Sequence, residues 1–184
     1  IEVIGRDGEC RLFDADEGPR SFREDKIPHI RPAFVRDGSG TITAANASSI
    51  NDGAAALVLA GESAVRERSL KPIARVVSWG TGAVAPERYP FGPVVAVRHA
   101  LTAAGLSVAD IDYWEINEAF SAVALLVMKH LALSPDRVNL LGGAVAIGHP
   151  IGASGARVLC TLLNVLNMNR GRLGAASLCI GGGE

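Results

Sequence analysis

The strongest constraint on the fold lies after Gly53, where short apolar runs alternate with stretches of helical periodicity. The runs that predict strands cover residues 54–60, 73–77, 112–116 and 173–180, and 138–141 is either a short strand or an extended turn. The stretches that predict helices cover residues 62–69, 94–104, 118–131 and 153–168. Strands that alternate with helices predict an α/β fold in which helices cover both faces of a mixed or parallel sheet.

Residues 1–40 have a different texture, with a dense mixture of both charges and three prolines, Pro19, Pro28 and Pro32. No helical or alternating period persists there for more than a few residues, so we expect loop with short strand pieces. We therefore place a domain boundary near residue 50, between a region at 1–50 and a domain at 51–184.

Charge and composition exclude several classes of protein. The chain has 18 Lys and Arg against 19 Asp and Glu, and this balance does not favour binding to nucleic acid or to an anionic membrane surface. Its longest strongly apolar stretch, Ala119–Met128, is about half of a membrane span. Three cysteines do not make a disulfide framework, and this odd count predicts a reducing, intracellular compartment.

The first candidate segment runs from Thr41 to Gly53 and is rich in small residues. Small side chains would let its backbone amides and hydroxyl groups approach a ligand closely. The alternative is a plain turn that leads into the following strand. Both interpretations stand on the pattern alone.

The second candidate segment is Asn117-Glu118-Ala119-Phe120, where a predicted strand gives way to a helix. A polar residue at the carboxyl end of a strand lies where α/β folds place their ligands. The alternative is that Asn117 caps the helix, since Asn is among the preferred capping residues.

The third candidate segment is glycine-rich, runs from Gly142 to Gly155 and contains His149 between a glycine and a proline. Histidine is the side chain best suited to proton transfer near neutral pH, and the glycines let backbone amides approach a substrate. The alternative is a loop histidine satisfied by its neighbours. The spacing does not match a dinucleotide-binding fingerprint.

The fourth candidate is Cys179, which ends the last predicted strand and precedes three glycines. The open amides of those glycines could stabilise an oxyanion and lower the pKa of the thiol. The alternative is a cysteine that packs as a small hydrophobe. A metal site is not predicted, because Cys10, Cys160 and Cys179 show no paired spacing with histidines.

Together these segments resemble the thiolase family, which includes acetyl-CoA C-acetyltransferases and 3-ketoacyl-CoA thiolases. The matching stretches are TAANAS and NDGAAA within 43–56, NEAF at 117–120, GGAVAIGHPIGASGAR at 142–157 and CIGGG at 179–183. The resemblance implies the layered thiolase fold, with a mixed sheet covered by helices. Residues 1–50 would then be the end of the loop region that covers CoA, and residues 51–184 the C-terminal domain without its last strand.

The resemblance also implies the chemistry, a reversible Claisen condensation of two acetyl-CoA molecules to acetoacetyl-CoA and CoA. His149 would activate a nucleophilic cysteine and donate a hydrogen bond to a thioester oxygen. Cys179 would remove a proton from the α-carbon of acetyl-CoA. Asn117 would hold a water that completes one oxyanion hole, and the Gly181 amide would serve the other.

By the same resemblance, CoA or acetyl-CoA is the substrate and there is no covalent cofactor. Ser48 would contact the pantetheine arm, Lys26 would lie in the loop that holds the nucleotide end, and Phe120 would also line the CoA site. Tyr89, followed by proline, stands where one subgroup of thiolases has Phe-Pro, which favours a short-chain substrate that can carry a 2-methyl branch.

That subgroup responds to potassium, and the matching residues here would bind K⁺ through backbone oxygens. They are Ala44, Ala45, Ala47 and Val145. The resemblance further implies a homo-oligomer, a dimer or a tetramer, in the cytoplasm or the mitochondrial matrix.

The chain departs from the thiolase pattern in one way that matters for catalysis. The nucleophilic cysteine of the family lies in its N-terminal half, and neither Cys10 nor Cys160 has the required setting, so we expect a fragment that is inactive alone. Two other interpretations compete. A non-catalytic scaffold or acyl-CoA carrier would have lost Asn117, His149 or Cys179, and a ketoacyl synthase would not have the Cys-x-Gly motif.

Overall fold

The computed structural model describes residues 1–183, and the chain divides into two compact units, the first being Ile1–Arg31 and the second beginning at Pro32. In the first unit, strand β1 (Glu2–Ile4) pairs antiparallel with strand β2 (Cys10–Leu12). Helix α1 (Glu17–Ser21) and a 3-10 helix (Glu24–His29) follow. The two strands confirm the predicted short strand pieces, whereas the two helical turns were not predicted. The boundary near residue 50 stays a prediction.

The second unit alternates helices with two strands. Its regular elements are α2 (Glu62–Glu67), α3 (Gly92–Ala104), β3 (Tyr113–Ile116), α4 (Ser121–Leu131), α5 (Ala144–Ile147), α6 (Ser154–Asn169) and β4 (Gly174–Ser177). Three 3-10 helices lie between them, at Pro86–Phe91, Val108–Asp110 and Pro135–Arg137.

Strands β3 and β4 pair in parallel, in a register that sets Tyr113 beside Gly174 and Ile116 beside Ser177. The Asn117 amide extends this ladder by donating to the Ser177 carbonyl oxygen at 2.9 Å. The two strands therefore end at the same edge, which is where parallel sheets collect functional side chains.

Helices cover both faces of this parallel pair. Trp114 and Ile116 point to one face and belong to the core built with α3 and α4. Side chains alternate along a strand, so Glu115 points to the other face, against which α6 packs. The predicted α/β fold with a sheet covered on both faces is confirmed.

The long helices bury the stripes that their sequences predict. Helix α3 is followed by Gly105, whose left-handed backbone (φ 66°) suits a helix terminus. Helix α6 buries residues spaced by three and four, namely Ser154, Val158, Leu162 and Val165. Helix α4 is apolar almost all round; it buries Val127 fully, but Leu125 is 60% exposed in this chain.

The strands predicted at 54–60 and 73–77 are wrong. Neither segment has a pairing partner among residues 1–183, and their apolar side chains lie open, with Val58 98% and Ile73 88% exposed. A β-favouring composition forms a strand only where a neighbour accepts its backbone hydrogen bonds and covers its side chains.

Other element boundaries move for similar reasons. Helix α4 begins at Ser121 rather than 118, because Ala47 forms an antiparallel bridge with Phe120 and keeps it extended. The strand predicted over 173–180 shortens to β4, and at 138–141 only Val138 bridges to Trp114 before the chain turns. The short helix α5 was not predicted. Among residues 1–183, no helix has the length and apolar character needed to cross a bilayer.

We expect Trp114→Ala to lower the free energy of unfolding of this chain by about 3–5 kcal/mol, because it empties a site that is 2% exposed between β3 and the α3–α4 layer. Trp79, which is 78% exposed, is the matched control, and Trp79→Ala should cost less than about 1 kcal/mol. Urea unfolding followed by circular dichroism measures both. Equal losses would contradict this placement of the core.

Candidate active site

Three of the predicted side chains, Asn117, His149 and Cys179, meet at the carboxyl edge of the β3–β4 pair. The Asn117 Nδ2 atom lies 3.1 Å from His149 Nε2 and 3.4 Å from Cys179 Sγ, and His149 Nε2 lies 3.9 Å from that sulfur. An imidazole and a thiol at these distances are able to exchange a proton, and the Asn117 amide lies between them as a hydrogen-bond donor.

Asn117 follows β3 directly and is 2% exposed. Its interpretation as a helix cap is wrong, because α4 begins four residues later, with Phe120 at the N-cap position. Its Nδ2 atom donates toward the site, while its Oδ1 atom has no hydrogen-bond partner among the described residues. A buried amide oxygen of this kind needs a donor, and a water molecule can supply it.

His149 is held by backbone contacts on the chain just before α6. Gly148 precedes it with φ 89°, a conformation that favours glycine. The His149 amide donates to the Ser49 carbonyl oxygen at 2.8 Å, and Ile50 forms a parallel bridge with His149. The ring Nδ1 lies 2.6 Å from Ser154 Oγ, a contact that sequence reasoning missed.

Cys179 lies two residues after β4 and is followed by Gly181, Gly182 and Gly183, all with positive φ. The Gly183 carbonyl oxygen accepts a hydrogen bond from the Val84 amide at 2.9 Å, which fixes the end of this turn. The Gly181 amide donates to no acceptor within residues 1–183. An amide without such an acceptor can serve as an oxyanion donor, and the role of Gly181 stays a prediction.

The predicted small-residue segment joins the two loops of the site. Ser48 donates from its amide and its hydroxyl group to the Ala119 carbonyl oxygen, at 3.2 and 3.0 Å. The Ser121 amide donates to the Asn46 carbonyl oxygen at 2.9 Å. With the Ser49 contact to His149, these bonds make residues 46–50 a connector between the Asn117 loop and the His149 loop.

Glu118 is a second residue whose role the sequence did not reveal. Its carboxylate accepts hydrogen bonds from Asn139 Nδ2 at 2.7 Å and from the Val145 amide at 3.1 Å. A Cβ atom on Gly143 would collide with this carboxylate. Asn139 also bonds both backbone groups of Ile116, so β3 and the His149 loop are tied together through one carboxylate. The only sign of this role in the sequence is that Glu118 is a charged residue directly after Asn117 in the NEAF motif.

Burial dominates the electrostatics of the site. It lowers the pKa of His149, and the positive charge of Arg157 lowers it further. Burial likewise raises the pKa of Glu115 to about 7. The positive charge of Arg157 lowers this pKa, and the negative charge of Glu118 raises it. The imidazole is consequently neutral near pH 7 and available as a base.

Three aromatic rings, those of Phe34, Phe120 and Tyr89, pack on one another. The Phe120 ring lies between Phe34, with centroids 5.9 Å apart, and Tyr89, with centroids 6.2 Å apart. Burial raises the pKa of Tyr89, and the negative charge of a Cys179 thiolate raises it further. Tyr89 is therefore close enough to Cys179 to feel its charge, and Phe120 packs against Tyr89.

The remaining candidates are Lys26 and the four residues predicted to bind potassium. Lys26 is exposed on the 3-10 helix of the first unit, so its assignment stays a prediction. Ala44 and Ala45 are exposed and Ala47 is half-buried. Val145 is half-buried next to Glu118. Within residues 1–183, no group of three or more His, Cys, Asp or Glu side chains is placed to hold a metal ion.

Comparison with known families gives two matches along this chain. The model described as "Thiolase, C-terminal domain" matches residues 70–184, and the one described as "Thiolase, N-terminal domain" matches residues 1–63. The first covers more than half of the chain and includes all three central side chains.

A curated relative, the cytosolic acetyl-CoA acetyltransferase of Rattus norvegicus, is 50% identical over 184 residues. The alignment covers 100% of this chain and 46% of that relative. The chain thus spans about half the length of the curated relatives it matches.

Two solved structures are similar to this fold. The Acat5 thiolase of Ascaris suum, in complex with coenzyme A, superposes with a TM-score of 0.83 at 46% identity, covering 93% of this chain and 44% of that one. The acetyl-CoA acetyltransferase of Bacillus anthracis superposes with a TM-score of 0.87 at 41% identity, covering 100% and 46%.

We expect Glu115→Gln to flatten the pH dependence of the unfolding free energy of this chain between about pH 4.5 and pH 7. In the parent chain the folded state keeps the carboxyl proton up to about pH 7, whereas an unfolded glutamate loses it near 4.5. The folded state therefore binds more protons across that range, and stability falls as pH rises.

Denaturant unfolding across this pH range measures the effect, with Glu67→Gln on the exposed face of α2 as the control that keeps the parent slope. The same slope in Glu115→Gln as in the parent chain would show that this carboxyl does not titrate differently on folding.

Proposed function

Because this chain belongs to the thiolase family, we propose that the protein of which it forms part is an acetyl-CoA acetyltransferase. It would join two acetyl-CoA molecules into acetoacetyl-CoA and CoA, and would catalyse the reverse cleavage. The observation that carries this proposal is the convergence of Asn117, His149 and Cys179 within 4 Å of one another. The curated relative in rat is named for this activity.

In the proposed condensation step, the Cys179 thiolate removes a proton from the α-carbon of acetyl-CoA and becomes a thiol. The enolate oxygen that forms receives hydrogen bonds from His149 Nε2, when that atom is protonated, and from a water held by Asn117. The carbanion attacks the acyl group on the nucleophilic cysteine, whose sulfur leaves as a thiolate. Preorganised donors at the developing oxyanion supply most of the rate enhancement in such steps.

The unpaired Oδ1 atom of Asn117 supports the water in this scheme, since a buried acceptor without a donor is costly. The free amide of Gly181 supports a second oxyanion site for the tetrahedral intermediate. The nucleophilic cysteine is assigned to the part of the protein outside this chain, because Cys10 is exposed in the first unit and Cys160 lies within α6.

The proposed substrate is a short-chain acyl-CoA. Ser48 supports this, because its hydroxyl oxygen keeps acceptor capacity after donating to Ala119, so it can contact a pantetheine amide. The Tyr89–Phe120 pair offers an apolar surface for the acyl group, and the short chain is proposed because the rat relative is named an acetyl-CoA acetyltransferase. Lys26 is proposed to meet the nucleotide phosphates.

The same resemblance leads us to propose a homo-oligomeric enzyme in an intracellular compartment. The rat relative is named as cytosolic. The scaffold or carrier interpretation is less favoured, because such a protein has no need for an intact proton-transfer centre with a depressed histidine pKa.

Cys179→Ser in the complete enzyme should slow carbon–carbon bond formation by at least about 100-fold, because a hydroxyl group is a far poorer base than a thiolate. Transfer of the acetyl group onto the nucleophile should be affected much less. Mass spectrometry of the acyl-enzyme follows the first half-reaction, and acetoacetyl-CoA formation follows the second. Cys160→Ser, a cysteine on α6 away from the site, is the matched control.

Equal losses in both half-reactions would remove Cys179 from its proposed role. His149→Ala, by contrast, should damage both half-reactions, because the same imidazole serves both. Absence of any acetyltransferase activity in the complete parent protein would overturn the proposed function itself.

Potassium should raise the activity of the complete enzyme. The carbonyl oxygens of Ala44, Ala45 and Ala47 accept no hydrogen bond from the described residues, and Val145 joins the same Glu118–Phe120 segment that Ala47 contacts. Carbonyl oxygens suit a monovalent cation. Such an ion would connect the Ser48 segment with the His149 loop and improve the positioning of acyl-CoA.

Steady-state kinetics in KCl and NaCl at matched ionic strength measure this effect, which we expect chiefly as a lower KM for acetyl-CoA. Identical kcat and KM values in the two salts would refute a potassium site.

A further inference from the structure

Ser154, the first residue of α6, is completely buried and lies against the site histidine. Its Oγ atom is 2.6 Å from His149 Nδ1 and 3.0 Å from the Pro150 carbonyl oxygen. No other polar side chain of the described residues lies within hydrogen-bond distance of Nδ1. Which of the two ring nitrogens carries the hydrogen in the neutral imidazole therefore depends on which way the Ser154 hydroxyl hydrogen points.

The contacts favour one direction. A hydroxyl group has a single hydrogen, and if Ser154 donates it to the Pro150 oxygen, its own oxygen must accept the Nδ1 hydrogen of His149. A neutral imidazole carries one N–H, so Nε2 then presents a lone pair. The Asn117 Nδ2 group faces Nε2 at 3.1 Å and is a donor, which agrees with that lone pair. In the opposite tautomer, the Nε2–H group of His149 would face an N–H group of Asn117, and neither could accept a hydrogen bond from the other.

The backbone holds Ser154 in this position. The amides of Ala153 and Ser154 both donate to the Pro150 carbonyl oxygen, at 2.7 and 2.8 Å, so the start of α6 closes tightly on the chain that carries His149. The serine is thus five residues from the histidine in sequence and is rigidly oriented toward its ring.

We propose that Ser154 is a positioning residue that keeps the Nδ1 atom of His149 protonated and leaves Nε2 as the only atom that exchanges a proton with the reactants. The inference rests on the proposed function, since it names the atom at which His149 acts. When Nε2 takes the proton of the nucleophilic cysteine, a thiolate and an imidazolium form. Ser154 still accepts from Nδ1–H in that imidazolium, and Nε2–H then protonates the CoA thiolate that leaves the acyl group.

Removal of the serine hydroxyl takes away an acceptor that stabilises the imidazolium. In the complete enzyme, Ser154→Ala should lower kcat about 10- to 100-fold with KM changed less than about twofold, by analogy with the loss seen when the partner of a metal-bound histidine is removed. The acid limb of the pH profile of kcat/KM should move to lower pH. Ser154→Thr keeps the hydroxyl group and should restore most of the activity.

Thr161→Val is the matched control, because Thr161 also lies on α6 and donates to the carbonyl oxygen four residues earlier, Arg157, at 3.1 Å. It loses the same kind of hydrogen bond without touching the histidine. A loss of activity equal to that of Ser154→Ala would show a general effect on the helix and would overturn the proposal.

A second readout does not depend on turnover. In the complete protein labelled with ¹⁵N-histidine, the His149 resonances near pH 8 should show a protonated Nδ1 and an unprotonated Nε2, and Ser154→Ala should shift them toward a mixture of tautomers. A parent protein with Nε2 protonated at that pH overturns the inference, whatever the variants do. The expected tautomer in a protein without acetyltransferase activity would overturn the proposed function and leave this inference standing.

Discussion

The site depends on the parallel pairing of β3 with β4. Because the ladder continues through the Asn117 amide to Ser177, both strands end in register, and Asn117 and Cys179 leave the same edge of the sheet. Their side chains meet 3.4 Å apart although 62 positions separate them in the chain. Trp114 and Ile116 hold that register from the face packed by α3 and α4. A slip of one residue would turn these side chains to the opposite face and dismantle both the core and the site.

A set of hydrogen bonds to backbone groups then fixes the loops around this edge. Residues 46–50 bond Ala119 on one side and His149 on the other, and the Glu118 carboxylate links Asn139 with the Val145 amide. Asn139 replaces a neighbouring strand by pairing with both backbone groups of Ile116. Each bond is modest alone, but together they hold the imidazole, the amide and the thiol in place. Such preorganisation is what oxyanion stabilisation requires.

The buried ionisable groups near the site lie on the face of the sheet that α6 covers. Glu115 is 1% exposed, and burial raises its pKa to about 7, while Arg157 on α6 draws that value down. The same arginine adds to the desolvation that lowers the pKa of His149. Burial next to Arg157 therefore has two effects. The charged form of the Glu115 carboxyl group is disfavoured, and the neutral form of the His149 imidazole is favoured. This arrangement suits a histidine that must accept a proton rather than carry one at rest.

Local patterns in the sequence determined the helices and the chemistry of the site. Periodicity placed α3 and α6 within a few residues, and residue type together with strand or loop position singled out Asn117, His149 and Cys179. Tertiary structure decided what those patterns could not. No strand forms at 54–60 or 73–77, because a strand needs a partner that lies far away in sequence. Residues 118–120 stay extended against residues 46–48, so α4 begins after them. Tertiary structure also brought Ser154 and Glu118 into the site. A lone serine or glutamate has no signature of its role, since that role consists of contacts made only when separate segments meet in space.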